Sequence, residues 1–503
     1  MEKDRAPQEH EHDAADTDRR RKKRSPWPGG IIILILVLLT AAFLAMLYTT
    51  RLVPAKYLVF LGLALLLLIT VIGLLVQDFK KRGSFWTGTA FAAIAAFLLI
   101  SGLIAGRQVL SAFNSITTPG IELTQIGVLV AAEDPAQELG DLSGYTFGIL
   151  AALDRPSVDS ALTDISGRLG EQLLVMEFSG LTDAVDALFN GQTGALVMNL
   201  AYLDIFEEME GYETVASRLR EIARIGIETR PVSSGSSTND PAESGIFTVY
   251  LSGIDSRSGM AAKSRSDVNI LATVNTNTHQ ILLVSTPRDF YVPLSISNGQ
   301  LDKLTHAGIY GIDVSMDTIG MLYDIDVDYY FKVSFTGFEK IIDSLGGVTV
   351  YSDYSFTSVE GDSYSKGENT LNGSQALAFA RERMAFAAGD RQRGRNQMAV
   401  IKGVINKLMS VEVLKNYSSL LHAVEGSFET SVPYDLIAQL VRDQLSSGDG
   451  WNVVTYSVDG SGSSQRTYSQ GYKAYVMIPN QETVDTAKAL MQQVRDGEIV
   501  QAP

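Results

Sequence analysis

The chain has 503 residues, with 57 acidic against 41 basic side chains and a formal net charge of −16. An acidic average of this size argues against a dedicated nucleic-acid binder, which shows a basic domain or face. The complete lack of cysteine excludes disulfides, thiolate metal sites and a cysteine nucleophile. Of the five histidines, His10 and His12 lie in a charged N-terminal stretch, and His279, His306 and His422 are too scattered to suggest a zinc site. The length exceeds one typical domain, so two or three folded units are expected besides any membrane part.

After a charged tail (residues 1–30), three apolar runs follow: Ile31–Tyr48, Tyr57–Val76 and Phe85–Ile104. Each has about the length needed to cross a hydrocarbon core of ~30 Å as a helix. The late start of the first run, with two more behind it, argues against a cleaved signal peptide. The basic run Arg19–Arg24 precedes the first span, and Lys80, Lys81 and Arg82 fill the loop between the second and third. By the positive-inside tendency both lie in the cytoplasm. Three crossings (31–106) then put everything beyond about Arg107 outside, on the envelope side of a Gram-positive type cell.

Between residues 107 and 230 strand-like and helix-like segments alternate. Ile126–Ala131, Thr146–Leu150 and Ala195–Met198 read as short buried strands, and Ser157–Gly167 and Leu181–Phe189 as amphipathic helices. The alternation predicts a small α/β accessory domain, faintly similar to extracellular solute-binding domains and without visible chemistry. Residues 231–245, rich in Ser, Pro and Gly, read as a linker. A second domain is expected over 246–500. Its strands are Phe247–Ile254, Val268–Val274 and Gln280–Ser285, with helices at Ser315–Tyr323, Phe335–Leu345, Ser374–Ala380 and Met398–Met409. This mixture predicts a sheet covered by helices.

The ends of those strands carry the chemistry. The first strand runs into Asp255, the second begins just after Arg265 and Asp267, and the third leads to Arg288 and Asp289. If the first two pair as a hairpin, both early carboxylates sit at one end of the sheet, and the third strand returns to it. Paired carboxylates beside arginines suit a hard divalent cation shared with phosphate oxygens, although surface salt bridges at loop ends have the same composition.

Five arginines fall between Arg381 and Arg395. Arg381 and Arg383 share a face only if that segment is extended. Asp390 is placed to cap the next helix, whose apolar stripe of Val400, Val404 and Leu408 passes through Gln397 and Arg393 when continued backwards. An arginine and a glutamine in line with a core-facing stripe imply a polar cavity at a helix start, where anions are favoured.

The motifs GIDSRSG, SRSDVNILATVN, VSTPRD, DKLTHAGIYG, LNGSQALAFARER and GDRQRGRNQ, with the run Phe338–Val348, stand in order between Ile246 and about Met409. This stretch resembles the LytR-CpsA-Psr family, and three spans with an intervening accessory domain are similar to its capsule-associated branch. The resemblance implies an extracellular α-β-α sandwich with a hydrophobic pocket for a polyprenyl chain. It also implies a phosphotransferase that moves a glycopolymer, of capsular or teichoic-acid type, from a polyprenyl-pyrophosphate carrier onto peptidoglycan. By that resemblance Asp255 and Asp267 hold Mg²⁺ (or Mn²⁺), and Arg265, Arg288, Lys303, Arg381, Arg383, Arg393 and Gln397 grip the pyrophosphate. Asp289 and Asp390 match the remaining acids.

Metal and guanidinium charge would stabilise the departing lipid phosphate. A sugar hydroxyl acceptor needs a base, for which Asp289 is the candidate and Asp390 the rival. A non-catalytic assembly or regulatory protein of capsule biosynthesis, working with capsule-assembly partners, is the alternative. DNA contact is opposed by topology and acidity. Serine hydrolysis and ATP chemistry lack their G-x-S-x-G and P-loop motifs.

Overall fold

The structure, a computed structural model, describes residues 27–51, 53–77, 82–117, 121–229, 244–255, 260–387, 389–410, 423–448 and 450–501. The basic run 19–24, Lys80, Lys81, most of the Ser/Pro/Gly linker and His422 lie outside the described residues. The chain divides at Leu110 into two units.

The first unit is helical. Helices α1 (Trp27–Thr49), α2 (Ala55–Gln77) and α3 (Arg82–Thr117) contain spans at Gly29–Thr49, Ala55–Gln77 and Gly83–Gln108, with mean hydropathies of 3.0, 3.1 and 2.2. By length and composition all three can cross a membrane. Small residues allow close packing among them: a Cβ on Gly88 would lie 2.7 Å from Val76 Cγ2.

The second unit holds two sheets. In the first, β1 (Glu122–Ala131), β2 (Thr146–Leu150), β3 (Leu174–Phe178), β4 (Ala195–Asn199) and β5 (Leu219–Thr229) lie in the order β3-β2-β4-β1-β5. Helix α4 (Arg155–Leu169) covers one face through Val158, Ala161 and Ile165, and α5 (Leu181–Phe189) the other through Leu181, Val185 and Leu188.

In the second sheet β6 (Ile246–Ile254), β7 (Ser266–Asn275) and β8 (Gln280–Thr286) form an antiparallel meander. β11 (Tyr329–Ser334) lies parallel to β6, Asn452–Ser457 lies parallel to β8, and Phe428–Thr430 closes the far edge. Because β6–β8 are apolar on both faces, they require cover on both sides. Helices Ile312–Tyr323 and Gln481–Arg495 bury Met316, Ile319, Val484 and Met491 against Tyr250, Leu271, Leu282 and Val284. On the other face, helices Asp390–Leu408 and Tyr434–Ser447 set Met398 and Leu436 against Phe247, Ile270 and Leu283. The result is the expected three-layer α-β-α sandwich.

The two sheets share a core. Ile309, beside the second sheet, belongs to the apolar cluster of α5 and Phe206. Leu123 N–H donates to Ala261 O at 2.7 Å, and Lys263 N–H donates to Leu123 O at 3.1 Å. The Glu122 carboxylate, buried, accepts from Ile312 N–H at a helix start and lies 3.4 Å from Lys332 Nζ. Burial raises its pKa, while Lys332 and Lys263 oppose the rise.

Close packing reaches the segment that precedes β7. A Cβ on Gly308 would meet Ser264 O at 2.5 Å and Ser266 N at 3.0 Å. Gly308→Ala is therefore expected to displace the backbone around Arg265 and destabilise the fold by about 1–3 kcal/mol. Thermal unfolding of the detergent-solubilised chain measures this, and an unchanged midpoint would show that the turn yields without cost.

Candidate active site

The β6–β7 hairpin brings its ends together through an irregular register. Gly253 opposes Val268 and Ile254 opposes Ser266, which leaves Asp267 as the extra residue of a β-bulge. A bulge re-aims the side chain it carries. Asp267 thereby meets Arg288, which follows β8: Arg288 Nη1 donates to Asp267 Oδ1 at 2.8 Å. Beneath them, buried Tyr250 donates to Asn269 Oδ1 at 2.6 Å, and Ser252 and Ser266 hydroxyls lie 2.8 Å apart. These bonds fix the strand ends on which the charged groups stand.

Lys303 arrives from a two-stranded ladder, β9 (Tyr291–Pro293) with β10 (Leu301–Lys303). Its side chain is only 3% exposed. The buried Asp302 carboxylate secures this ladder, lying 2.7 Å from His306 Nδ1 and accepting from Ser469 N–H at 2.7 Å. The candidate base Asp289 faces inward from the same corner. Its Oδ1 lies 3.3 Å from Lys303 Nζ and its Oδ2 3.8 Å from Arg288 Nε.

The five arginines of the late run separate. Arg381 ends helix Gly373–Arg381 and stacks 4.7 Å over the Phe335 ring, and Arg383 follows beyond an extended Glu382. Arg393 stands in the first turns of helix Asp390–Leu408 and pairs with Asp390. Arg391 turns away to Asp459 at 2.7 Å, and Arg395 Nε donates to Gln392 Oε1 at 3.1 Å. Asp390 is the first residue of its helix rather than the cap. Gly389 takes the N-cap position at φ 51°, a left-handed conformation that favours glycine.

A cavity of 690 Å³ opens between the sheet and the helices Phe335–Ser344, Gly373–Arg381 and Asp390–Leu408. Its interior is apolar, lined by Val249, Leu251, Ala272, Val274, Ile281, Phe331, Phe338, Ile341, Leu377, Ile401 and Ile405. Its polar wall comprises Asp255, Asp267, Arg265, Arg288, Arg381, Arg383, Arg393 and Gln397, with Glu207 and Glu208. The helical stripe expected through Val400 divides here. Val404 and Ile401 share the cavity with Arg393 and Gln397, whereas Val400 packs into the separate core of Ile342 and Phe379.

Sequence reasoning therefore brings eight of its site residues to one cavity wall. Lys303 and Asp289 stand behind that wall, next to Arg288. Asp390 lines a small adjoining pocket with Asp267, Arg288 and Arg393.

Glu208 went unrecognised in the sequence. It follows the short helix Leu203–Phe206, in the segment read as carrying no chemistry. Its Oε1 accepts from Arg265 Nη1 at 2.7 Å and Arg288 Nη2 at 3.1 Å, and its Oε2 from Lys303 Nζ at 2.7 Å. Burial alone would raise its pKa, but the charges of Lys303, then Arg288, pull it down to about 2. The acidic doublet Glu207–Glu208 was the available signal, and its meaning depends on tertiary contacts 57 to 95 residues away.

Arg393 shows the opposite imbalance. Burial, together with the like charges of Arg288 and Arg383, lowers its pKa despite Asp390 and Asp267. A buried guanidinium held in this way attracts further anionic charge. Charged groups with perturbed pKa values beside a large apolar cavity mark a functional site.

The polyisoprenyl-teichoic acid–peptidoglycan teichoic acid transferase TagU of Bacillus licheniformis is 37% identical over 190 residues, which are 38% of this chain and 61% of that protein. TagU of Bacillus subtilis is 37% identical over 198 residues, 39% of this chain and 63% of that protein. The chain thus spans less than two thirds of the length of these relatives. Among solved structures, TagT bound to LI-WTA has 27% identity and a TM-score of 0.42, covering 53% of this chain and 97% of that one. TagV of B. subtilis has 24% identity and a TM-score of 0.42, covering 51% of this chain and 99% of that one. Residues 209–493 match the LytR_cpsA_psr family, so the match begins inside the module of the first sheet. That match takes in more than half of the sequence, and the chain belongs to the LytR_cpsA_psr family.

Proposed function

We propose that the chain is a membrane-anchored phosphotransferase. It moves a glycopolymer of teichoic-acid or capsular type from a polyprenyl-pyrophosphate carrier onto peptidoglycan. The observation that carries this reading is the 690 Å³ apolar cavity with five arginines, Arg265, Arg288, Arg381, Arg383 and Arg393, on its wall. A long hydrocarbon chain gains by burial in such a cavity, and a pyrophosphate at its end meets guanidiniums there. The names of the TagU relatives favour the same substrate class.

In the proposed reaction an acceptor sugar hydroxyl attacks the phosphorus that bears the glycan. The bridging P–O bond breaks, polyprenyl phosphate leaves, and the hydroxyl proton passes to a base. Arg288 and Arg393 are placed to stabilise charge that grows on the leaving phosphate, and their low exposure strengthens that interaction. Asp289 is positioned to hold Lys303 and Arg288 in place.

A divalent cation suits the donor set of Asp255 and Asp267, two hard carboxylates on the cavity wall. Among the described residues no group of three or more acidic or imidazole side chains gathers to hold a metal, so donor phosphate oxygens and water would complete its shell. When bound, Mg²⁺ or Mn²⁺ would neutralise phosphate charge. In the proposed orientation the three spans leave the N-terminus in the cytoplasm and the second unit outside.

Four outcomes are expected. Purified chain given a polyprenyl-pyrophosphate sugar donor, peptidoglycan fragments and Mg²⁺ should form linked product. Arg288→Ala and Asp267→Ala should each reduce turnover at least about 100-fold, as for loss of one preorganised oxyanion contact. Tight lipid binding without product under any acceptor would instead establish a binding protein. Ala272→Phe, which fills the cavity floor, should raise KM for long-chain donors while short-chain donors react as before; equal effects on both would remove the lipid from the cavity. A C-terminal reporter active only outside the cytoplasm is expected, and cytoplasmic activity would reverse the orientation.

A further inference from the structure

The cations gathered for the donor's pyrophosphate already hold an anion that belongs to the chain. Glu208 reaches them from the first sheet's module, while Arg265, Arg288 and Lys303 come from three different segments of the second. Both carboxylate oxygens are engaged, and the residue lines the wall of the apolar cavity. A carboxylate and a phosphate present the same kind of oxygen to a guanidinium fork. They compete for the same donors.

We propose that Glu208 is an internal latch: its carboxylate occupies the phosphate-binding cations, and the donor's pyrophosphate binds by displacing it. This deepens, and rests on, the phosphotransferase reading of the site. Lys303 and Arg288 are largely withdrawn from water, where uncompensated charge is costly, and Glu208 adds its carboxylate to the counter-ions that Asp267 and Asp289 supply. A pyrophosphate carries more charge than one carboxylate and outcompetes it, whereas a single weak anion does not. The latch therefore sets a charge threshold for entry. The anchors on either side of it are fixed, since Phe206 and Met209 are fully buried. Release thus needs only the turn between them, where Glu208 N–H donates to Ile205 O at 3.1 Å and Met209 N–H to Phe206 O at 3.0 Å.

A competitor that holds the site lowers apparent affinity by the fraction of time it is seated, and the coupling is reciprocal. Full-length chain in detergent is titrated with inorganic pyrophosphate by calorimetry. Glu208→Gln, which keeps the shape and removes the charge, is expected to bind about tenfold or more tightly than the parent. Arg288→Ala should abolish binding in both backgrounds. Unchanged or weaker binding by Glu208→Gln, with Arg288 still required, would overturn the latch and leave the phosphotransferase reading intact. Binding indifferent to Arg288 would remove the phosphate site and the latch together. A second readout needs no variant. In the parent chain, saturating pyrophosphate should accelerate amide hydrogen exchange at residues 208–209. Exchange that slows or stays constant there would count against displacement.

Discussion

Like charges brought to one edge of a sheet repel, and the second unit is arranged around that constraint. Arg265, Arg288, Lys303 and Arg393 are all withdrawn from solvent to differing degrees, where Coulomb terms are larger than in water. The fold answers with interleaved acids: Asp267 on a bulge, Asp289 behind, Asp390 in a helix's first turn, and Glu208 from a turn in the first sheet's module. Each cation has a partner, and at Arg393 burial, with the like charges of Arg288 and Arg383, lowers the pKa against the pull of Asp390 and Asp267. The site is thus poised for additional negative charge without requiring it for folding.

The same sheet faces two different environments. One face is packed against helices Ile312–Tyr323 and Gln481–Arg495 and provides the dense core. The other face is shared between a core around Leu283 and Met398 and the open cavity. A cavity forfeits dispersion contacts on its walls, so the opposite face and the module of the first sheet carry more of the stability. Shared clusters across the two sheets, with buried Glu122 capping the start of helix Ile312–Tyr323, make them one mechanical body. That continuity is what allows a residue of the first sheet's module to reach a site built on the second.

Much of this was legible in the residues. The apolar runs of β6, β7 and β8 marked strands buried on both faces, and the charged residues just outside them marked the functional edge. Hairpin pairing then placed Asp255, Asp267 and Arg288 together without further information. Other features depended on geometry that no local pattern encodes. Asp390 looks like a cap by composition, yet Gly389 takes that place because its backbone has positive φ. Arg391 and Arg395 share the density of the arginine run but not its direction, since adjacent helical positions point to different faces. The apolar lining comes from strands and helices far apart in sequence, and so was assignable only in three dimensions. Glu208 is the extreme case: half of a surface-type acidic doublet by composition, and a counter-ion of three cations from separate segments in the fold.

The bulge at Asp267 has a consequence for how this site accepts change in length. Side chains alternate along a strand, so losing one residue between Ser266 and Val268 would restore a regular ladder and at the same time remove the carboxylate from the edge. Just ahead of the strand the count is held as well, because the backbone of Leu123 bonds to Ala261 and Lys263 and so sets how far Arg265 stands from Asp267. The surplus residue thus keeps its place between fixed points on both sides.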